Sequence, residues 1–163
     1  MSGFGGGVSP LLVVSNDNTQ SQLLGTGANT TETVLKTVTL PALAANSTID
    51  IDSLWSLSTS GNNKTIRIRL NGLSGTVLMQ FVETTNVCRQ HKTIIRNNNS
   101  VSAQKLFGSA VSVGYGVTTT AMATAAIDTS VPVTLVFTAA LSVGAAAALE
   151  QINCEGITVK VIL

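Results

Sequence analysis

The chain has 163 residues, a formal net charge of +1, and only 10% charged and 4% aromatic residues. Soluble domains typically carry about 25% charged residues and keep their net charge away from zero, so this composition argues against a free, strongly charged monomer. It favours an obligate oligomer whose surface is partly covered by neighbouring chains. No apolar run reaches the ~18–20 residues of a membrane helix, and a chain of this length buries roughly 70% of its unfolded surface as a single domain.

In chain order, residues 1–22 read as a flexible N-terminal arm and residues 23–163 as the folded body. MSGFGGGVSP has neither the basic region nor the apolar core of a secretory signal. Its glycines and Pro10 favour irregular backbone. Leu11, Leu12, Val13 and Val14 form a short apolar run within the arm, suited to adding to a sheet edge on a partner. Glu32–Leu40, rich in Thr and Val, predicts a strand ended by Pro41.

Ser47–Asn71 follows. Ile49, Ile51, Ser53, Trp55 and Leu57 fall on one side of a strand, and Ile66, Ile68 and Leu70 on one side of another. Ser60-Gly61-Asn62-Asn63 between them predicts a hairpin, with Trp55 opposite Ile68 and Asp52 diagonal to Arg69. The lone Trp is expected to centre the core. Further strands are predicted over Gly75–Val82, His91–Arg96 and Val101–Phe107, with Asn97–Ser100 as a turn. Gly108–Thr124 reads as a long loop with a weak strand. Ala126–Thr129, Pro132–Leu141 and Gln151–Leu163 read as strands, and Ser142–Leu149 as a possible helical turn. Eight to ten short strands with turns between them and no long helix predict an all-β fold: an antiparallel two-sheet sandwich of jelly-roll type.

The chemistry is sparse. One histidine, His91, and two distant cysteines, Cys88 and Cys154, make neither a closed zinc site nor a marked catalytic dyad. Without a secretion signal the two thiols are expected to be free, with Cys88 partly buried. Asp50 and Asp52 share a strand face, as paired carboxylates in glycosidases do, but solvent-facing acids beside arginines explain them better. No enzyme activity, cofactor or metal is expected. Seven of nine cations lie between Lys64 and Lys105. Arg89, Lys92 and Arg96 among them are candidates, with Leu11–Val14, for contact with an acidic partner surface. The excess is too small and too poor in interleaved aromatics for nucleic acid.

Three stretches carry a resemblance: Ala45–Arg69 with its core Gly61-Asn62-Asn63-Lys64-Thr65-x-Arg67-x-Arg69, Ile94–Ser100, and Ala126-Ile127-Asp128-Thr129 before a Thr/Val strand. Together they resemble structural proteins of tailed bacteriophages of the capsid decoration (cement), head-fibre and tail-fibre-tip type. The resemblance runs over about Leu23–Leu163. It implies a homotrimeric β-sandwich on the virion, without catalysis. A compact body with a short arm and no shaft repeats suits a decoration protein on the capsid surface, assembled in the host cytoplasm and bound to the major capsid protein. The alternative is a receptor- or glycan-binding module at a tail tip, for which Trp55 and Tyr115 are the large aromatic candidates.

Overall fold

Two antiparallel sheets face each other across an apolar core in the computed structural model, which describes residues 10–25, 30–106, 121–143 and 150–163. Eleven strands are formed among the described residues: β1 (Leu11–Asp17), β2 (Ser21–Leu24), β3 (Thr33–Leu40), β4 (Thr48–Leu57), β5 (Lys64–Leu70), β6 (Thr76–Glu83), β7 (Cys88–Asn97), β8 (Gln104–Leu106), β9 (Ala123–Ala125), β10 (Val133–Leu141) and β11 (Gln151–Ile162). No described residue is helical.

The first sheet runs β1-β11-β4-β7-β8-β9, with β2 also paired to β11; the second runs β3-β10-β5-β6. β1 and β2 act as one interrupted strand, since β1 pairs with Ile157–Ile162 and β2 with Gln151–Cys154. The eight-stranded frame is therefore (β1/β2)-β11-β4-β7 over β3-β10-β5-β6. That is the expected jelly-roll arrangement, in which the chain alternates between sheets as two Greek keys. β8 and β9 extend the first sheet beyond it.

The strands form where alternation predicts them because each has one apolar side to bury. Ile49, Ile51, Trp55 and Leu57 of β4 are buried, as are Ile66, Ile68 and Leu70 of β5. These two strands are not a hairpin, however. β4 pairs with β7 and β11, β5 with β6 and β10, and the two face each other from opposite sheets. Alternation assigns a side to each strand, and two strands meeting across a sandwich need inward apolar sides just as two paired strands do. The expected Trp55–Ile68 and Asp52–Arg69 neighbours are replaced accordingly. Ile68 pairs with Met79 and Phe137, and Trp55, fully buried, meets the Phe81 ring edge-on at 6.3 Å and 81°. Its indole N–H donates to Ser53 Oγ at 2.9 Å.

A bulge in the β5–β6 pairing brings both Leu78 and Met79 inside and leaves Val77 exposed, against simple alternation. Ala126–Thr129 is not a strand; it runs as irregular backbone into β10. The boundary expected between an arm and a body falls inside β2, and Leu11–Val14 sit in β1 on the sandwich itself. Lys36, an inward residue of β3, ties that edge shut across the sheets: its Nζ lies 2.7 Å from Asp17 Oδ2 and also donates to the Thr19 carbonyl. Most of Gly108–Thr124, Tyr115 included, and residues 144–149 of the expected helical turn lie outside the described residues.

Candidate interaction surface

Every charged side chain of the protein lies among the described residues, so its charges can be followed one by one. Lys64, at the start of β5, is fully buried; its Nζ reaches Glu150 Oε2 at 3.3 Å, Ser60 Oγ at 2.8 Å and the Thr84 carbonyl at 2.9 Å. Burial alone would raise the Glu150 carboxyl, but hydrogen bonds from Ser60, Asn62 and Lys64 outweigh it and hold the group below the usual range. Arg67 and Arg69 both pair with Glu32, at 2.9 and 2.7 Å. Burial raises the Glu32 carboxyl; the bonds from Arg69 and Thr138 and the charge of Arg67 more than reverse that. Arg69 is raised by the same partner, against burial.

Arg89 points inward from β7, stacks 4.4 Å above the Phe81 ring and pairs with Glu83. Lys92, on the outer face, lies 3.3 Å from Asp50 Oδ2. Of the two β7 cations expected to meet a partner beside Arg96, then, Arg89 is committed within the chain and Lys92 is engaged at the surface. Three cationic side chains are left without a carboxylate partner among the described residues: Arg96, Lys105 and Lys160. All three lie on the outer face of the first sheet, and Arg96 and Lys105 stand directly opposite each other in the β7–β8 pairing. Like charges directly opposed on adjacent strands repel.

Across the same row of that face, Lys105 and Arg96 are followed by Thr48, Ile162 and Leu11. Leu11 is 62% exposed, Val13 53% and Leu12 43%, and Ile162 and Leu163 beside them are exposed as well. Val14 alone of the β1 apolar run is partly buried, packed against the core. The outer face thus carries an apolar patch at the β1 edge and unneutralised positive charge at β7–β8.

Between these lies a shallow depression of about 100 Å³ lined by Asp50, Asp52, Lys92, Thr158 and Lys160. The neighbours of the two acids are Lys92 and Gln90 rather than the expected arginines; Gln90 Nε2 donates to both Asp52 oxygens at 3.1 and 3.0 Å. A glycosidase acid needs an apolar setting that keeps its proton at neutral pH, and this polar, open face supplies none. His91 and Cys88 fall on opposite faces of β7, which separates them as a dyad; Cys88 is exposed, not partly buried, because it lies on the outer side. The imidazole sits half-buried 5.3 Å from the Phe81 ring. Burial, then the charge of Arg89, hold it down to about 4 against the pull of Asp52. Cys154 is buried and free, its thiol pushed up to about 12 by that burial. No group of three or more His, Cys, Asp or Glu side chains able to hold a metal occurs among the described residues.

The motif residues meet at the two ends of the sandwich. At one end Asn62 Nδ2 donates to Glu150 Oε1 at 2.9 Å beside Lys64. At the other, Asn97 Nδ2 donates to Thr129 Oγ1 at 2.8 Å and to the Ala44 carbonyl at 2.9 Å. There Gln104 Nε2 joins Asn97 Oδ1 to the Ile127 carbonyl, at 3.0 and 2.9 Å. These motifs hold structure rather than form a site. Sequence reasoning missed Lys105, Lys160, Ile162 and Leu163 as surface partners. Counting outward from the Asn97–Ser100 turn would have set Val101 opposite Arg96; the connection runs over Asn98–Ala103 instead, so only the structure places Lys105 there.

No family model matches the chain, and no curated protein matches it. Solved structures of virus particles do. The infectious bursal disease virus VP2 subviral particle aligns with a TM-score of 0.45 at 13% identity, over 94% of this chain and 32% of that chain. The Gt strain of infectious bursal disease virus aligns with a TM-score of 0.44 at 14% identity, over 94% and 32%. The T13 particle of that virus gives 0.41 at 12%, over 91% and 32%. The chain spans about a third of the length of these virus chains, and at such scores and identities the likeness carries no argument about what this chain does.

Proposed function

We propose that the chain is a non-enzymatic structural protein of a virion, a decoration (cement) protein that binds the capsid surface as a homotrimer and stabilises the shell through the major capsid protein. The observation that carries a docking role is the outer face of the first sheet, where Arg96, Lys105 and Lys160, without a carboxylate partner among the described residues, lie on the same face as an exposed apolar strand edge. The resemblance of the Ala45–Arg69, Ile94–Ser100 and Ala126–Thr129 stretches to phage structural proteins supplies the virion setting. Arg96 and Lys105 repel each other in the free protein, so an acidic partner surface relieves that cost and gains two contacts at once. A jelly roll with both ends closed by hydrogen bonds suits a rigid clamp between capsomers. The tail-tip reading loses its principal aromatic, because Trp55 is fully buried.

Deleting Met1–Gln20 would remove β1 and uncover β11, so point changes test the reading more cleanly. Purified protein is added to expanded capsids that lack it, and the particles are imaged and melted. Ordered density at three-fold positions with a higher shell melting temperature is expected. Arg96→Glu with Lys105→Glu should abolish that density while the trimer persists. A bare shell, with density at the tail tip of intact virions instead, would replace the cement role with receptor binding.

A further inference from the structure

The outer edge of β1 has no strand beside it among the described residues. An unpaired strand edge displays a row of free N–H and C=O groups, and proteins usually blunt such edges with Lys, Pro or a cover. β1 carries neither Lys nor Pro over Leu11–Asp17; a bulge between Val13 and Ser15 breaks its edge and confines the regular part to its first residues, Leu11, Leu12 and Val13, which are all exposed. The orientation of its backbone is known. The Leu163 N–H donates to the Pro10 carbonyl at 3.3 Å, so Pro10 and, two residues on, Leu12 turn their backbone polar groups towards β11. Leu11 and Val13 therefore turn theirs outward, since the direction alternates along an antiparallel strand.

From this we infer that β1 is a two-fold contact with a second copy of the same chain, the two β1 strands pairing antiparallel about Leu12. In that register Leu11 of one copy stands opposite Val13 of the other, and Leu12 opposite Leu12. Leu11 and Val13 are the residues with outward backbone groups, so each Leu11–Val13 couple exchanges two hydrogen bonds and Leu12 occupies the unbonded position on the axis. The side chains agree with the backbone. Leu11, Val13 and Ile162 from both copies come together on the outer face, and Leu12 meets its own copy on the inner side. No charged residue lies on the paired strands over Leu11–Val13; Lys160 on β11 flanks Val13 on the outer face, and Pro10, which lacks an N–H, bounds the seam. A register one residue away would set outward backbone groups against inward ones, and the even registers on either side would place Leu12 opposite Pro10 or opposite Val14 at the bulge. The contact continues the first sheet from one molecule into the next.

The contact does not depend on the virion reading; it covers the apolar β1 edge and leaves Arg96 and Lys105 as the part of the face open to a capsid, and its test separates the two. Sedimentation equilibrium of the full chain should give an assembly with an even number of chains, a pair of trimers where the homotrimer also forms. Val13→Pro removes an outward N–H without touching the β1–β11 pairing, and Val13→Lys puts a charge into the seam; each should halve the mass while the melting temperature of the protomer holds. In a Cys88→Ser background, Leu12→Cys should cross-link two chains under mild oxidation, and Ser15→Cys should not. A mass of one or three chains that Val13→Lys leaves unchanged would overturn the contact, as would cross-linking through Ser15→Cys in preference to Leu12→Cys. Trimers that decorate capsids but show no two-fold pairing would sink this inference and leave the cement role standing; paired chains that ignore capsids would do the reverse.

Discussion

His91 shows how far burial can move a single group. Its imidazole has an ordinary value of 6.5 and is held down to about 4 between Phe81 and Arg89, with Asp52 the only opposing charge. The folded protein keeps the ring neutral where the unfolded chain would protonate it. This contribution is complete above pH 6.5 and is lost as the pH falls from 6.5 towards 4, a change of about 3 kcal/mol. Glu32 and Glu150 act in a lower window. Their folded values lie below the ordinary 4.5, so their contribution is present above 4.5 and disappears as the pH drops below it. Urea midpoints measured from about pH 8 down to about pH 2 should therefore fall in two stages. His91→Gln should flatten the first stage and leave the second.

At the scale of elements, turns decide which strands can pair. The β5–β6 turn is a true hairpin: Asn71 and Gly72 take positive φ, 67° and 85°, and a Cβ at Gly75 would meet the Leu70 carbonyl oxygen at 1.8 Å. The β4–β5 connection contains an equally inviting Ser60-Gly61-Asn62-Asn63, yet Gly61 has open space around it and no positive φ. Of its neighbours, Asn62 bonds across the sandwich to Glu150, and the Asn63 N–H donates to Ser142 Oγ at the end of the β5–β10 pairing. Gly75→Ala should destabilise the protein by several kcal/mol, about 3 or more, because backbone must move. Gly61→Ala should be neutral or stabilise by about 0.4–1 kcal/mol through the unfolded chain. Thermal unfolding of the pair separates a closing turn from a crossing one; equal effects would contradict the assignment.

For the whole molecule, the consequence is a sandwich closed by polar groups at both ends. Lys64 belongs to the second sheet and Glu150 leads into β11 of the first, so their buried pair locks the sheets together. Lys64→Met leaves the carboxylate buried without its cation and should cost about 3–5 kcal/mol by urea unfolding. Adding Glu150→Leu should restore most of it, since two apolar groups leave no charge stranded. A single variant as stable as the parent would show that the Ser60, Asn62 and Ser58 bonds suffice. At the far end Asn97, Gln104 and Thr129 do the same with neutral groups. Rigid ends and an outer face that is part apolar, part cationic leave the docking face as the side through which the molecule meets others.

The sequence by itself determined the class of the fold and the identity of its inward sides. Ile49, Ile51, Trp55 and Leu57, or Val133, Leu135 and Phe137, alternate strictly, and the pleat admits one burial for such a pattern. Only the tertiary structure decided which strands are neighbours. A period of two says nothing about whether an apolar side meets its partner beside it or across the core, which is why β4 and β5 looked like a hairpin and are not one. Pairing also decided the surface. Glu32 and Glu150 neutralise Arg67, Arg69 and Lys64 from more than thirty residues away, leaving Arg96, Lys105 and Lys160 as the free cations. A basic stretch in sequence becomes a docking patch only after long-range contacts have consumed the rest of its charge.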